Sequence, residues 1–462
     1  MPELPDGAEN GRFQAGTEAG AGGAAAAGGE PESAGGQAAA GGAPGGGMAA
    51  AGGPLAGVRV LDLTSVVMGP LATAILGDLG ADVVTVESAR GETNRAMGAG
   101  PHPYLSGVSL NLLRNKRNID LDLKSAGGRA ILLRLAARCD VFVTNLRPGP
   151  LARLGAAYED IAAVRPDVVY CRAHGWAADS PRGGEAAYDD IVQAASGVAD
   201  LARRVSGVPG LMPTIFADKV SGLTIVYAVL AALLHRERTG EGQQIEIPMA
   251  DTVSAFLLVE HGAGAIPQPP VGPVGYQRIL TPERRPQQTA DGWIAVLPYS
   301  REHYDFLFAV GGRPELIGDA RYADGRSRIE HSDFLYRQVR GILRHRTTAE
   351  WLDLLHRHGI PASPVATLDE LVSALPEADH PVAGRYRVIP PPVRFGRTPA
   401  SVRRPAPLPG EHNQEVLAEL GLTAAEISRL RHEGAVRSRP GTDTARRPRP
   451  GTGAGSGGTG QP

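Results

Sequence analysis

Short apolar runs recur along this chain with helically spaced segments between them, and that alternation limits the fold more than any other feature. The runs are Val58–Leu63, Val83–Glu87, Asn118–Leu123, Asp140–Thr144, Val168–Arg172 and Gln244–Ile247. Between them, Leu71, Ile75, Leu76 and Leu79 fall at helical spacing, as do Ile131, Leu132 and Leu135. Strands separated by helices cannot pair as hairpins. They form a parallel sheet through right-handed crossovers, with helices on its faces. The expectation is an α/β fold: a Rossmann-like large domain with a second, smaller α+β domain. The carboxyl ends of the strands then share one edge, where open α/β sheets bind ligands. No Gly-x-Gly-x-x-Gly follows the first strand, which weakens a dinucleotide reading.

Punctuation in the chain sets the expected boundaries. Residues 1–54 are Gly/Ala-rich with almost no large apolar side chains, so they bury too little surface to offset ordering entropy and read as a disordered tail. The large domain is expected over 55–262. A Pro/Gly-rich linker or loop follows over 263–285, then a small domain over 286–375. A C-terminal segment, 376–436, is expected to return to the large domain, and 437–462 reads as a second disordered tail. Thr347-Thr348-Ala349-Glu350 and Thr423-Ala424-Ala425-Glu426 are capping boxes that open helices. Thr214 to Arg238 reads as one long helix, apolar at Val220, Leu223, Val226, Leu230 and Leu234.

The formal net charge of −2 argues against a nucleic-acid partner. Cys139 and Cys171 are the two cysteines, too few for a disulfide framework, which suits a reducing cytoplasm. No uninterrupted apolar run reaches the length of a membrane span, so no membrane association is expected. His345, His356 and His358 lack the spacing of a metal set and read as solvated.

Two segments remain chemically open. Tyr188-Asp189-Asp190 puts paired carboxylates at the head of the apolar segment Ile191-Val192-Gln193-Ala194-Ala195. Asp189 can be an N-cap, or a functional carboxylate just past a strand's carboxyl end. Asn115-Lys116-Arg117-Asn118 can be a solvated turn or a set of phosphate-binding groups, and Arg147 and Arg153 admit the same two readings. His174, beside Gly175 at a strand end, can line a site or serve structure.

Taken in order, several stretches resemble the class III coenzyme A transferases of the CaiB/BaiF type. That family includes formyl-CoA transferase, carnitine CoA-transferase and the α-methylacyl-CoA racemases. The stretches are Gly57-Val58-Arg59-Val60-Leu61-Asp62-Leu63 with Gly69-Pro70, Asn115 to Lys124, Asn145-Leu146-Arg147-Pro148-Gly149, Ala187-Tyr188-Asp189-Asp190-Ile191 and Arg238-Thr239-Gly240-Glu241-Gly242. The resemblance implies that Asp189 is the catalytic nucleophile, moving CoA from an acyl-CoA thioester to a carboxylic acid through an aspartyl-CoA thioester. It assigns coenzyme contacts to Val66, Val67, Leu121, Lys124, Asn145, Leu146 and Arg153, and places His174 beside them. It implies no permanently bound cofactor, with coenzyme A entering as thioester substrate, and an interlocked homodimer. The glycine-rich loop of formyl-CoA transferase has no counterpart here, and Pro269 to Gly275 lies in roughly that region. Two rival readings are an acyl-CoA racemase using Asp189 as acid/base and a non-catalytic CoA-binding protein. The racemase motif has His before the Asp and Asn after it, where this chain has Tyr188 and Asp190, which favours transfer.

Overall fold

The computed structural model describes residues 52–88 and 91–437. The expected tails over 1–54 and 437–462 lie outside the described residues, apart from residues 52–54 and 437. The large sheet is built in chain order from β1 (Arg59–Leu63), α1 (Met68–Asp78), β2 (Asp82–Glu87), α2 (Gly107–Leu112), β3 (Lys116–Asp120), α3 (Ala126–Ala136) and β4 (Val141–Thr144). It continues through α4 (Pro148–Arg153), α5 (Tyr158–Val164), β5 (Val169–His174), α6 (Asp189–Ala195), α7 (Val198–Ser206), α8 (Ala217–Thr239), β6 (Gln243–Pro248) and α9 (Met249–His261).

The six strands run parallel in the order β3-β2-β1-β4-β5-β6. The chain steps outward from β1 to β3, then crosses back to β4 and steps the other way. The switch point lies between β1 and β4, where such sheets place their ligands.

Strand alternation divides the core in two. Leu61, Phe142 and Tyr170 face one cluster with Ile131, Leu132, Leu135 and Ile161 from α3 and α5. Val60, Val141, Val143, Val169 and Cys171 face the other, with Leu76 from α1 and Ile225 and Val229 from α8. The first cluster also takes in Val416, Leu417, Ile427 and Leu430 from the C-terminal segment. A separate cluster around Trp351, Tyr322, Phe308 and Ile294 forms between residues 294 and 360. It packs beside a three-stranded antiparallel sheet of β7 (Gln287–Gln288), β8 (Trp293–Val296) and β9 (Ala362–Pro364). Both capping boxes form, at Thr347/Glu350 and Thr423/Glu426.

Two expectations change. Asn115-Lys116-Arg117-Asn118 is neither a solvated turn nor a free phosphate cradle. The Lys116 ammonium is fully buried on Asp62 (3.1 Å), Thr73 (2.7 Å) and the Pro70 carbonyl (3.0 Å). Arg117 is spent on Asp82, Glu415 and Glu419. The C-terminal segment covers this edge strand: His412 Nδ1 accepts from the Asn118 N–H, and Asn413 Oδ1 from the Asp120 N–H. The second change concerns α8. Leu223 and Leu234 lie on its exposed side, whereas Asp218, Ser221, Gly222 and Ile225 are buried. By length and composition alone α8 is long and apolar enough to cross a membrane.

Candidate active site

The site grows from the turn between β1 and α1. Asn145, at the end of β4, holds that turn by a matched pair of hydrogen bonds: the Ser65 N–H donates to Asn145 Oδ1 (2.9 Å) and Asn145 Nδ2 donates to the Ser65 carbonyl (2.7 Å). From the other side the Val66 N–H donates to Glu92 Oε1 (2.7 Å), and Asn94 Nδ2 donates to the Val66 carbonyl (3.2 Å). Clamped this way, Val66 adopts φ of +73°. That left-handed conformation is unfavourable for a β-branched residue and persists only where the surroundings over-determine it. Burial, opposed by the Val66 and Asn94 N–H groups, pushes the Glu92 carboxyl up to about 7.

Asp189 lies where the chain returns from β5. Gly175 permits that return, because a Cβ there would sit 2.2 Å from the Ala187 Cβ. The N-cap of α6 is Tyr188, so Asp189 is its first helical residue and not the cap considered from sequence. Its carboxylate instead serves the start of another helix: Oδ1 accepts the Asp218 N–H of α8 (3.0 Å), while Oδ2 accepts from Gln193 Nε2 (2.5 Å). Gln193 is buried, and its Oε1 in turn accepts the Met212 N–H (2.8 Å). Both carboxylate oxygens are therefore held, and Asp189 remains half-buried while Asp190 beside it is exposed.

The Asp218 side chain is buried and accepts the N–H of Met68, the first residue of α1. Burial first, and then the Asp189 charge, pushes its carboxyl up to about 6. Asp189 and the start of α1 are thus joined through one residue, Asp218, by its N–H on one side and its carboxylate on the other.

The remaining expected contacts share the carboxyl edge of the sheet. Val67 is buried under the turn, and Leu146 is packed against the core. Lys124 and Arg153 are exposed, after β3 and at the end of α4. Leu121, expected as a coenzyme contact, is wholly enclosed in the core with its N–H on the Glu87 carbonyl, so it does not reach the site. His174 Nε2 lies 2.9 Å from Glu246 Oε1, off the direction of a hydrogen bond. Burial, and after it the Arg172 charge, lowers its pKa, so the imidazole is neutral near pH 7. Pro269 to Gly275 folds back on the end of α9, where the Val271 and Gly272 N–H groups donate to the Gly264 carbonyl. Among the described residues no group of His, Cys, Asp or Glu is placed to hold a metal ion.

Sequence reasoning named neither Glu92 nor Asp218, and it gave Gln193 no role. Gln193 follows Asp189 at the i,i+4 spacing of facing helical side chains, a usable signal. Glu92 and Asp218 carry no local signature.

Comparison with known proteins gives one consistent result. The sequence model of CoA-transferase family III matches residues 55–413. Mouse succinyl-CoA:glutarate CoA-transferase is 32% identical over 379 residues, 79% of this chain and 86% of that protein. Succinate–glutarate CoA-transferase of Agrobacterium fabrum is 32% identical over 392 residues, 79% of this chain and 96% of that protein. Among solved structures, a CAIB/BAIF family protein from Brucella suis superimposes with a TM-score of 0.68 at 27% identity, covering 80% of this chain and 100% of that one.

Proposed function

The chain belongs to CoA-transferase family III, and from that premise we propose that it moves coenzyme A from an acyl-CoA thioester to a carboxylic acid with Asp189 as the nucleophile. The observation that supports this most is the Asp189 carboxylate itself. Gln193 and the Asp218 N–H hold both its oxygens, and it lies just past β5 at the sheet edge that binds ligands.

The steps balance without an added reagent. An Asp189 oxygen attacks the donor thioester carbon; the C–S bond breaks and CoA leaves as thiolate, giving a mixed anhydride. The thiolate attacks the Asp189 carbonyl, expels the donor acid as carboxylate and leaves an aspartyl-CoA thioester. The acceptor carboxylate attacks that thioester, the thiolate leaves again, and its attack on the acceptor's acyl carbon releases the new acyl-CoA and the free Asp189. Splitting one exchange into four substitutions keeps each barrier low. Val66, Val67, Lys124, Asn145, Leu146 and Arg153 supply coenzyme contacts, with Lys124 and Arg153 suited to its phosphates. His174, neutral and buried, forms part of the wall.

The two curated relatives carry succinate and glutarate in their names, so succinyl-CoA with glutarate is the first substrate pair to test. Oxalate and monocarboxylic acids complete the acceptor panel. A homodimer working in the cytoplasm is the accompanying expectation, supported by an exposed apolar stripe on α8.

Trapping tests the nucleophile. Wild-type protein given a productive acyl-CoA should gain the mass of a CoA thioester on the peptide carrying Asp189, and hydroxylamine should discharge it. Asp189→Ala should lose the adduct and at least about a thousandfold in transfer rate. Transfer persisting in Asp189→Ala overturns the assignment.

A further inference from the structure

We propose that Asp218 is a positioning residue that favours covalent modification of Asp189 and ties that step to the β1–α1 turn through Met68. The proposal rests on the reading of Asp189 as nucleophile and assigns a role to a residue outside the chemistry described above.

Geometry carries the argument. Asp218 is the second residue of the 23-residue helix α8 and is 6% exposed. Its main-chain N–H donates to Asp189 Oδ1 at 3.0 Å, and its carboxylate accepts the Met68 N–H. One turn further on, Gly222 lets α8 press against the same residue: a Cβ there would come within 2.9 Å of the Met68 carbonyl oxygen. Asp218 therefore sits in a tight seam between the nucleophile and the first residue of α1. The charge acting on it from a packed element, among the described residues, is that of Asp189 on α6. From α1 it meets an uncharged N–H, and its neighbour Lys219 turns away to Thr214 (2.6 Å).

An asparagine would accept the Met68 N–H equally well, so holding α1 needs no ionisable group. What the carboxyl adds is charge. The Asp189 charge lies beside the buried Asp218 carboxyl and raises the cost of ionising it. When Asp189 becomes a thioester its negative charge departs with the displaced donor carboxylate. The repulsion on Asp218 then falls, and Asp218 ionises more readily in the covalent state than in the free enzyme. By linkage, covalent modification releases a fraction of a proton from Asp218. The covalent state is therefore favoured as pH rises through about 6, where Asp218 titrates in the free protein, and levels off above it. The exchange of thioester for carboxylate takes up a proton only where the released acid itself titrates, so at a fixed concentration of the fully ionised acid the remaining dependence belongs to the protein.

The test measures, by intact-protein mass spectrometry, the equilibrium fraction of full-length chain carrying the CoA thioester between pH 5 and 8. The protein is loaded with acetyl-, succinyl- or glutaryl-CoA at a fixed ratio to the fully ionised free acid. Wild type should show a rise of a few-fold across pH 5 to 7. Asp218→Asn should be flat across that range with KM for the acyl-CoA little changed. Asp218→Ala should be equally flat, with KM raised because the Met68 N–H loses its acceptor. The same rise in Asp218→Asn as in wild type overturns this inference alone. No adduct from any of the three donors, or an adduct that survives Asp189→Asn, overturns the nucleophile reading and this inference with it.

Discussion

Glu92 illustrates how single residues fix the β1–α1 turn. Its carboxylate accepts the Val66 N–H (2.7 Å) and the Asn94 N–H (3.2 Å) while largely out of water, with the Glu87 and Asp62 charges adding to the cost of ionising it. The clamp it makes with Asn145 holds Val66 in a conformation that costs on the order of 1–3 kcal/mol. A carboxyl whose folded pKa lies at about 7 binds more protons folded than unfolded between its ordinary value of 4.5 and 7. Its contribution to stability is present below pH 4.5 and is lost as pH rises through 7, a change of up to about 3 kcal/mol. Asp218 adds a slope of the same sign between 3.8 and about 6. Glu92→Gln keeps an acceptor for the Val66 N–H but cannot ionise. Denaturation midpoints from pH 5 to 8 should fall less steeply in this variant than in wild type, and an unchanged slope would contradict the burial argument. A local motif makes Asp189 stand out in the sequence, and the structure adds its ties to Gln193 and the Asp218 N–H. Glu92 and Asp218 do not stand out, because what marks them is desolvation by segments distant in sequence.

At the level of elements, the strands and their order along the chain were legible to within a few residues, and the α8 stripe was not. Helical spacing picks out large apolar residues, and of the five on α8 Val226 is buried and Val220 and Leu230 pack on the core, whereas Leu223 and Leu234 face outward. The helix also turns Asp218, Ser221 and Gly222 inward, where Gly222 permits a close approach to α1. Periodicity reports amphipathicity, not which neighbour a face will meet. Edge strand β3 was misread for a related reason: Lys116 is buried on Asp62 and Thr73, and Arg117 is held by Glu415 and Glu419 of the C-terminal segment, roughly three hundred residues away in the chain. The α1–α8 seam makes a direct prediction. Gly222→Val would drive a branched side chain into the Met68 carbonyl, where a Cβ already approaches to 2.9 Å, and into Leu71. Overpacking of this kind costs about 1–3 kcal/mol, and valine offers little helical gain over glycine to offset it. Chemical denaturation should show that loss. KM for the acyl-CoA should rise with it if the β1–α1 turn contacts the coenzyme as proposed, since Met68 begins the helix that follows that turn. A variant as stable as wild type with unchanged KM would show that the seam is looser than its geometry.

For the whole molecule, the outer face of α8 is the unresolved balance. Leu223, Tyr227 and Leu234 are 57%, 64% and 51% exposed, and their spacing of four and seven residues aligns them in one stripe. On α9, which packs against α8, Phe256 and Val259 are 56% and 85% exposed. Exposed apolar side chains are ordinary when scattered, but a stripe running three helical turns beside a second apolar helix calls for a cover. Lipid is a poor candidate, because the opposite side of α8 carries buried Asp218 and Ser221 packed on α1 and the sheet. The homodimer proposed above would cover the stripe with a second copy of the chain, in an interface resembling a domain core cut in two. Light scattering on the purified full-length chain should therefore give twice its 48.1 kDa mass. Leu223→Glu combined with Tyr227→Glu places two charges in the stripe without touching the core and should shift the protein towards monomer with its helical circular dichroism intact. A monomeric wild type, or a dimer indifferent to the double substitution, would assign this stripe to some other cover.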